Sequence, residues 1–254
     1  MAQVGDFHRR AQIVCAALVL NVAAGIGQAD AEDAVTFETA QVAMVLPNTG
    51  ESDPSRDVDP QEANGSKGKV IYLTFDDGPT VKYTKRVLDL LDEYDAKATF
   101  FQVGENATAH PELARSVIEH GHALGNHTWS HRDMRKLKPG ELNGQIARTS
   151  AALFGITGRP VTCLRPPFGA VNARVRRAIR HQKLDVKLWD IDARDWKKPG
   201  SAAIANRVVS VADPGDVSLM HDGGGNRSQS VRALARILRS LSKQHYDFKT
   251  LPGC

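Results

Sequence analysis

Cysteine is scarce in this chain, with 3 among 254 residues. No pair has the spacing of a zinc finger, so a cysteine-built metal module is excluded. Aromatic residues make up 6% and do not interleave with basic ones. With no RNA-binding signature either, nothing points to nucleic acid as a partner. No internal repeat is apparent. Beyond the N-terminal region, no segment is apolar enough over enough residues to cross a bilayer.

The N-terminal region stands apart. Arg9-Arg10 precede an apolar stretch from Ile13 to Leu20 that continues to Gly27, and Ala29-Asp30-Ala31 offers a small-residue cleavage site. This is the form of a secretory signal peptide over residues 1–31. The alternative is a retained anchor, but Asn21, Gln28 and several Ala and Gly weaken the run as a stable span. The expected location is therefore outside the cytoplasm, secreted or associated with the cell envelope. Residues 32–68 are rich in Asp, Glu, Ser, Pro, Asn and Gly with little periodicity, and read as a flexible polar linker. Val35 to Leu46 is more apolar and could pack as a short arm.

From Val70 onward, apolar runs alternate with helical patterns. Val70–Leu73 and Ala98–Val103 are strand-like, while Val87, Leu88, Leu91 and Tyr94 follow helical spacing. Helices fit 111–118, 141–154, 173–182 and 202–211. A final stripe of Val231, Leu234, Leu238 and Leu241 is followed by a closing strand over 248–251. The count is about seven β–α units, an alternation that implies a parallel sheet.

The chemistry gathers at the ends of these strands. Asp76 and Asp77 follow the apolar, β-branched segment that starts at Val70, and Gly78-Pro79 turns the chain at once. Such residues also make plain Asx turns. Adjacent carboxylates repel, however, and a cation bound to one of them would offset this. His127 and His131, four residues apart, can point the same way around a strand-to-helix junction. Thr128 and Ser130 could fix the ring tautomers, and 132–137 could begin a helix. Two histidines and one carboxylate leave positions open for water and substrate, the pattern of a catalytic metal site. Arg165 lies in a loop stiffened by Pro166 and Pro167. Asp192, Asp195 and Trp196 follow another strand, and His221 ends a third just before Gly223-Gly224-Gly225. Alternating α/β folds bring strand C-termini to one face.

Taken in order, these segments make the chain resemble a polysaccharide deacetylase of carbohydrate esterase family four, the NodB-homology domain. The motifs are TFDDGP at 74–79, HTWSH at 127–131, RPPFG at 165–169, DARDW at 192–196 and LMH at 219–221. The resemblance covers about Lys69 to Leu251 and implies an α/β fold, a distorted (β/α)7 barrel, as a single catalytic domain over 69–252. It implies Asp76 as general base, Asp77, His127 and His131 as metal ligands, and Arg165 as the brace of the base. Asp195 would set the charge state of His221, the general acid. Trp196 and Leu219 would wall a pocket for the acetyl methyl, and the backbone N–H of Phe168 would help hold the oxyanion. Most family members have Tyr where Phe168 stands, so side-chain contacts there differ.

Zinc suits the mixed imidazole and carboxylate set best, and cobalt or nickel would fit. The implied substrate is an N-acetylated polysaccharide or oligosaccharide, peptidoglycan first and chitooligosaccharide second. An O-acetyl xylan esterase and a catalytically silent glycan-binding module are the alternatives. A silent module would be expected to have lost Asp76 or His221, and both are present.

The net charge is +4 and the pI about 9.0. Arg174, Arg176, Arg177 and Arg180 read as a solvated helix face, with a weak attraction to anionic wall polymers open. If residues 1–31 are removed, Cys163 and Cys254 remain. In an exported protein they could pair and tie the tail to the barrel near Arg165, or stay a buried thiol and a terminal one.

Overall fold

The computed structural model describes residues 68–254. The segment expected to be a signal peptide and nearly all of the one expected to be a linker lie outside the described residues. Within them, no helix is long and apolar enough to cross a membrane.

The first strand, β1 (Lys69–Asp76), is an inner strand of the sheet, with three parallel partners. It is followed by α1 (Thr84–Glu93), β2 (Ala98–Gln102), α2 (Gly104–Ala109), α3 (Pro111–Glu119) and β3 (Ala123–Asn126). Then come α4 (Pro139–Thr157), β4 (Cys163–Leu164), α5 (Ala173–His181), β5 (Asp185–Val186) and β6 (Ile191–Asp192). The chain closes with α6 (Ser201–Val209), β7 (Val217–His221), α7 (Ser228–Ser242) and β8 (Tyr246–Phe248). The strand order is β5-β4-β3-β2-β1-β7-β6, and every pairing is parallel. With β8 paired to β1 as an eighth strand, the arrangement matches the distorted (β/α)7 barrel. It is distorted because its end strands, β5 and β6, are short and leave a gap in the ladder. Just past the end of β5, the Leu188 carbonyl accepts from Arg165 Nη2 at 2.8 Å, which ties that end to the loop after β4.

Every residue of β2 is buried, as expected for a parallel strand covered on both faces. Helix α7 closes one side with Val231, Leu234, Leu238 and Leu241, the stripe that the spacing predicts, and buries Ile237 beside it. Helix α1 does the same with Val87, Leu88 and Leu91. In the same core, Phe75 and Phe100 stack with ring centroids 5.1 Å apart.

Two expectations change, and one helix was not foreseen. The helix expected over 132–137 is only a 3₁₀ turn, Met134–Lys136, because Pro139 restricts the residue before it and starts α4 afresh. Helix α2, six residues long, carries no readable periodicity. The closing strand lies earlier, at Tyr246–Phe248, where it pairs with the first half of β1 while β7 pairs with the second. Beyond it, Leu251 N donates to Thr99 Oγ1 at 2.9 Å instead of joining a ladder. Cys163 and Cys254 are joined as a disulfide, which pins the C-terminus to β4.

Candidate active site

Strand register brings the polar ends together. Asp76 stands opposite His221 of β7 and Phe101 of β2, and Asn126 stands opposite Leu164. The ladder continues one step into the loops, where His127 N donates to Gln102 O and Arg165 N donates to Asn126 O, both at 3.0 Å. His127 and Arg165 are thereby fixed as firmly as strand residues.

The two adjacent acids part company in backbone conformation. Asp76 is still extended strand, so it shares a face with Thr74. Arg165, wholly buried, donates through Nη1 to Thr74 Oγ1 at 2.7 Å and to Asp76 Oδ1 at 2.8 Å. Its guanidinium carbon lies 4.1 Å from the centre of the Phe101 ring. Asp77 has φ 72°, a left-handed conformation that swings its carboxylate away from this pair. Thr128, His131 and Phe168 also have positive φ, at 67°, 52° and 61°. Such a cluster of strained residues marks a site that the surrounding structure holds in place. Gln145 of α4 does part of this work, since its Oε1 accepts from Trp129 N and Ser130 N, both at 3.0 Å.

The tautomer of His127 follows from its bonding. Its Nδ1 lies 2.7 Å from the Arg165 carbonyl, which can only accept, so Nδ1 carries the proton and Nε2 presents a lone pair. That Nε2 is 3.4 Å from Asp77 Oδ1, and His131 Nε2 is 3.1 Å from the same oxygen. Asp77 Oδ1 is buried without a hydrogen-bond partner. An electron-pair donor of His127 therefore faces an orphaned carboxylate oxygen, and a cation between them resolves both. The donor atoms of Asp77, His127 and His131 all lie within 4.8 Å of one another, so these residues fit a metal ion. The expectation that Thr128 and Ser130 fix the rings is corrected. The backbone of Arg165 orients His127, Ser130 Oγ accepts from Gln145, and Thr128 Oγ1 has no partner.

Electrostatics agree with this reading. Burial works to raise the carboxyl of Asp77, yet positive charge on the surrounding His127, His221 and His131 holds it well below the usual carboxylate range, and a bound cation would do the same with the histidines neutral. Burial, with His127 beside it, pushes His131 below its ordinary value, toward the neutral form a ligand needs. On the opposite side, burial would depress His221, but its bond to Asp195 and the charge of that carboxylate push it up. His221 Nδ1 donates to Asp195 Oδ1 at 2.7 Å, while Asp195 Oδ2 accepts from His221 N at 2.9 Å and Ser230 Oγ at 2.6 Å. Burial would raise Asp195 as well, and the His221 bond lowers it.

A cavity of about 520 Å³ opens over Asp76, Asp77, His127, His131 and His221. Phe168, Trp196 and Leu219 stand on its wall, Phe168 being 69% exposed and Trp196 49%. Arg165 and Asp195 lie behind it, each touching the group it was expected to serve. Sequence reasoning missed Trp189 and Arg227, which also line the cavity. The glycine run before Arg227 was the one signal available for it.

Comparison with known proteins agrees with the motif reading. The family described as polysaccharide deacetylase matches residues 63–186. A peptidoglycan-N-acetylglucosamine deacetylase of Bacillus cereus is 41% identical over 185 residues, 72% of this chain and 86% of that protein. A chitooligosaccharide deacetylase of Rhizobium leguminosarum bv. trifolii is 34% identical over 204 residues, 76% of this chain and 95% of that protein. Among solved structures, the peptidoglycan deacetylase PdaC of Bacillus subtilis superposes with a TM-score of 0.69 at 37% identity, covering 73% of this chain and 89% of that one.

Proposed function

The chain belongs to the polysaccharide deacetylase family, and on that premise we propose that it is a metal-dependent hydrolase of N-acetylglucosamine residues in peptidoglycan, with chitooligosaccharide as second substrate. The observation that carries this is the orphaned Asp77 Oδ1 facing the unprotonated Nε2 of His127, beside an Arg-braced Asp76 and an Asp-paired His221.

Asp77, His127 and His131 would hold the ion, zinc by the character of the donors. When bound, such an ion supplies Lewis acidity, polarising the amide carbonyl and making water more acidic. Asp76, held by Arg165, takes a proton from the attacking water, whose oxygen bonds to the carbonyl carbon. The backbone N–H of Phe168 donates to the oxyanion that develops. His221, kept protonated by Asp195, gives its proton to the amide nitrogen as the carbon–nitrogen bond breaks. The products are acetate and a free amine on the sugar. Phe168, Trp196 and Leu219 shape the wall for the acetyl group and sugar face.

Export is the proposed setting. A disulfide between Cys163 and Cys254 supports it, since such bonds persist in oxidising compartments.

The test is acetate release by the purified protein from peptidoglycan, N-acetylated chitooligosaccharides and acetylated xylan. The proposal expects release from peptidoglycan above all, and liberated amines in equal amount. Release from xylan alone would make the protein an esterase. Binding of glycan with no acetate from any of them would make it a silent module.

A further inference from the structure

The segment after His221 reads Asp222-Gly223-Gly224-Gly225-Asn226-Arg227, and the mechanism above does not use it. We infer that Arg227 is a positioning residue for the metal-binding carboxylate: it clamps the glycine loop onto Asp77 and holds one carboxylate oxygen so that the other faces the histidines. This rests on the proposed ion at Asp77, His127 and His131.

The loop crosses Asp77 in direct contact. A side chain on Gly223 would run into the Asp77 carbonyl, and one on Gly224 into Asp77 Oδ2. Gly224 also has φ 68°, open to glycine at little cost. Arg227 is 5% exposed and reaches back over this loop. Its Nε donates to Gly223 O, and its Nη2 donates to Gly224 O at 3.1 Å. The same Nη2 lies 3.8 Å from Asp77 Oδ2, the one ion-pair partner Arg227 has among the described residues.

A buried guanidinium needs compensation, and two glycine carbonyls and one carboxylate provide it. In return its charge engages Oδ2 and leaves Oδ1 without a bond. Oδ1 is the oxygen near both histidine Nε2 atoms. On the far side, Asn106 Nδ2 donates to the Asp77 carbonyl at 2.9 Å, so the left-handed residue is gripped from two directions. Loss of partners that orient a metal-ligating carboxylate weakens metal binding by ~10–100-fold.

The experiment measures zinc affinity of the whole protein by competition with a chromophoric chelator. It also records the visible spectrum of the cobalt-loaded form, and kcat and KM for acetate release at saturating zinc. Arg227→Met is expected to weaken zinc binding by at least ~10-fold and to alter the cobalt spectrum. Arg227→Lys keeps the charge without the fork and should recover part of both; it also serves if the Met variant fails to fold. Wild-type zinc affinity and an unchanged cobalt spectrum in the folded variants would overturn the inference. So would a rise in KM as the sole change, which would make Arg227 a substrate contact. If the wild-type protein itself takes up no zinc, the proposed metal site fails first and the role of Arg227 with it.

Discussion

At the scale of the residue, the account turns on two neighbouring aspartates with different duties. Asp76 bonds to Arg165, while Asp77, turned by its positive φ, offers a bare oxygen to His127 and His131. Asp76→Asn should therefore keep its zinc and lose ~10²–10⁴ in kcat, the span of a general base. Asp77→Ala should lose the zinc itself. Metal analysis beside acetate release separates the two, and a zinc-free Asp76→Asn protein would reverse the assignment. A pH profile tests His221. Its value is raised above 6.5, with Asp195 the cause that outweighs burial. The acid form needed for catalysis then persists above pH 6.5 and is lost as pH climbs through the raised value. Asp195→Asn removes that support, so the alkaline limb should move to lower pH. The same pairing is linked to stability. The contribution of His221 is complete below 6.5 and fades as pH rises through its folded value. That of Asp195 is present above 3.8 and fades as pH falls through its lowered one.

At the scale of the element, the site is made by where parallel strands stop. Each motif could be read from the sequence because an apolar run ends in an ionisable group and a turn follows. Longer elements were legible for the same reason: the Val231, Leu234, Leu238 and Leu241 stripe appears in α7 as spaced. Strand β5, two residues long, was not, since period-two alternation needs more residues than it has, while the strands expected before Arg165 and Asp195 are only the two residues each of β4 and β6. Nor could the sequence reveal Gln145, a polar residue on α4 whose task depends on a loop 15 residues earlier. Gly125 shows how tightly one strand constrains the next. A side chain there would meet the Phe101 ring, on which Arg165 rests. Gly125→Ala should cost about 1–3 kcal/mol by overpacking, measured by urea unfolding. It should lower kcat by displacing Arg165, with less effect on zinc affinity. A variant of unchanged kcat would show that Arg165 is positioned independently of that ring.

At the scale of the whole molecule, the barrel has a gap where β5 and β6 would meet, and its tail is tied down nearby. The Cys163–Cys254 bond spans 91 residues of sequence and holds the last residue against β4, directly before Arg165. The sequence allowed this pairing but could not decide it, because the closeness of two cysteines so far apart is a product of the finished fold. Closing a loop of that size restricts the unfolded chain, so Cys254→Ser should cost ~2–4 kcal/mol. Thermal unfolding checks it: reductant should lower the Tm of the wild type and leave that of Cys254→Ser unchanged. Equal Tm values without reductant would mean that the tie adds no stability.

The most direct test of the central claim is a zinc titration of the chelator-stripped protein, followed by acetate release from peptidoglycan. The account predicts no release from the stripped protein and activity that rises linearly to a break at one zinc per chain, with no recovery in Asp77→Ala. Full activity in protein shown by elemental analysis to be free of divalent metal would contradict it.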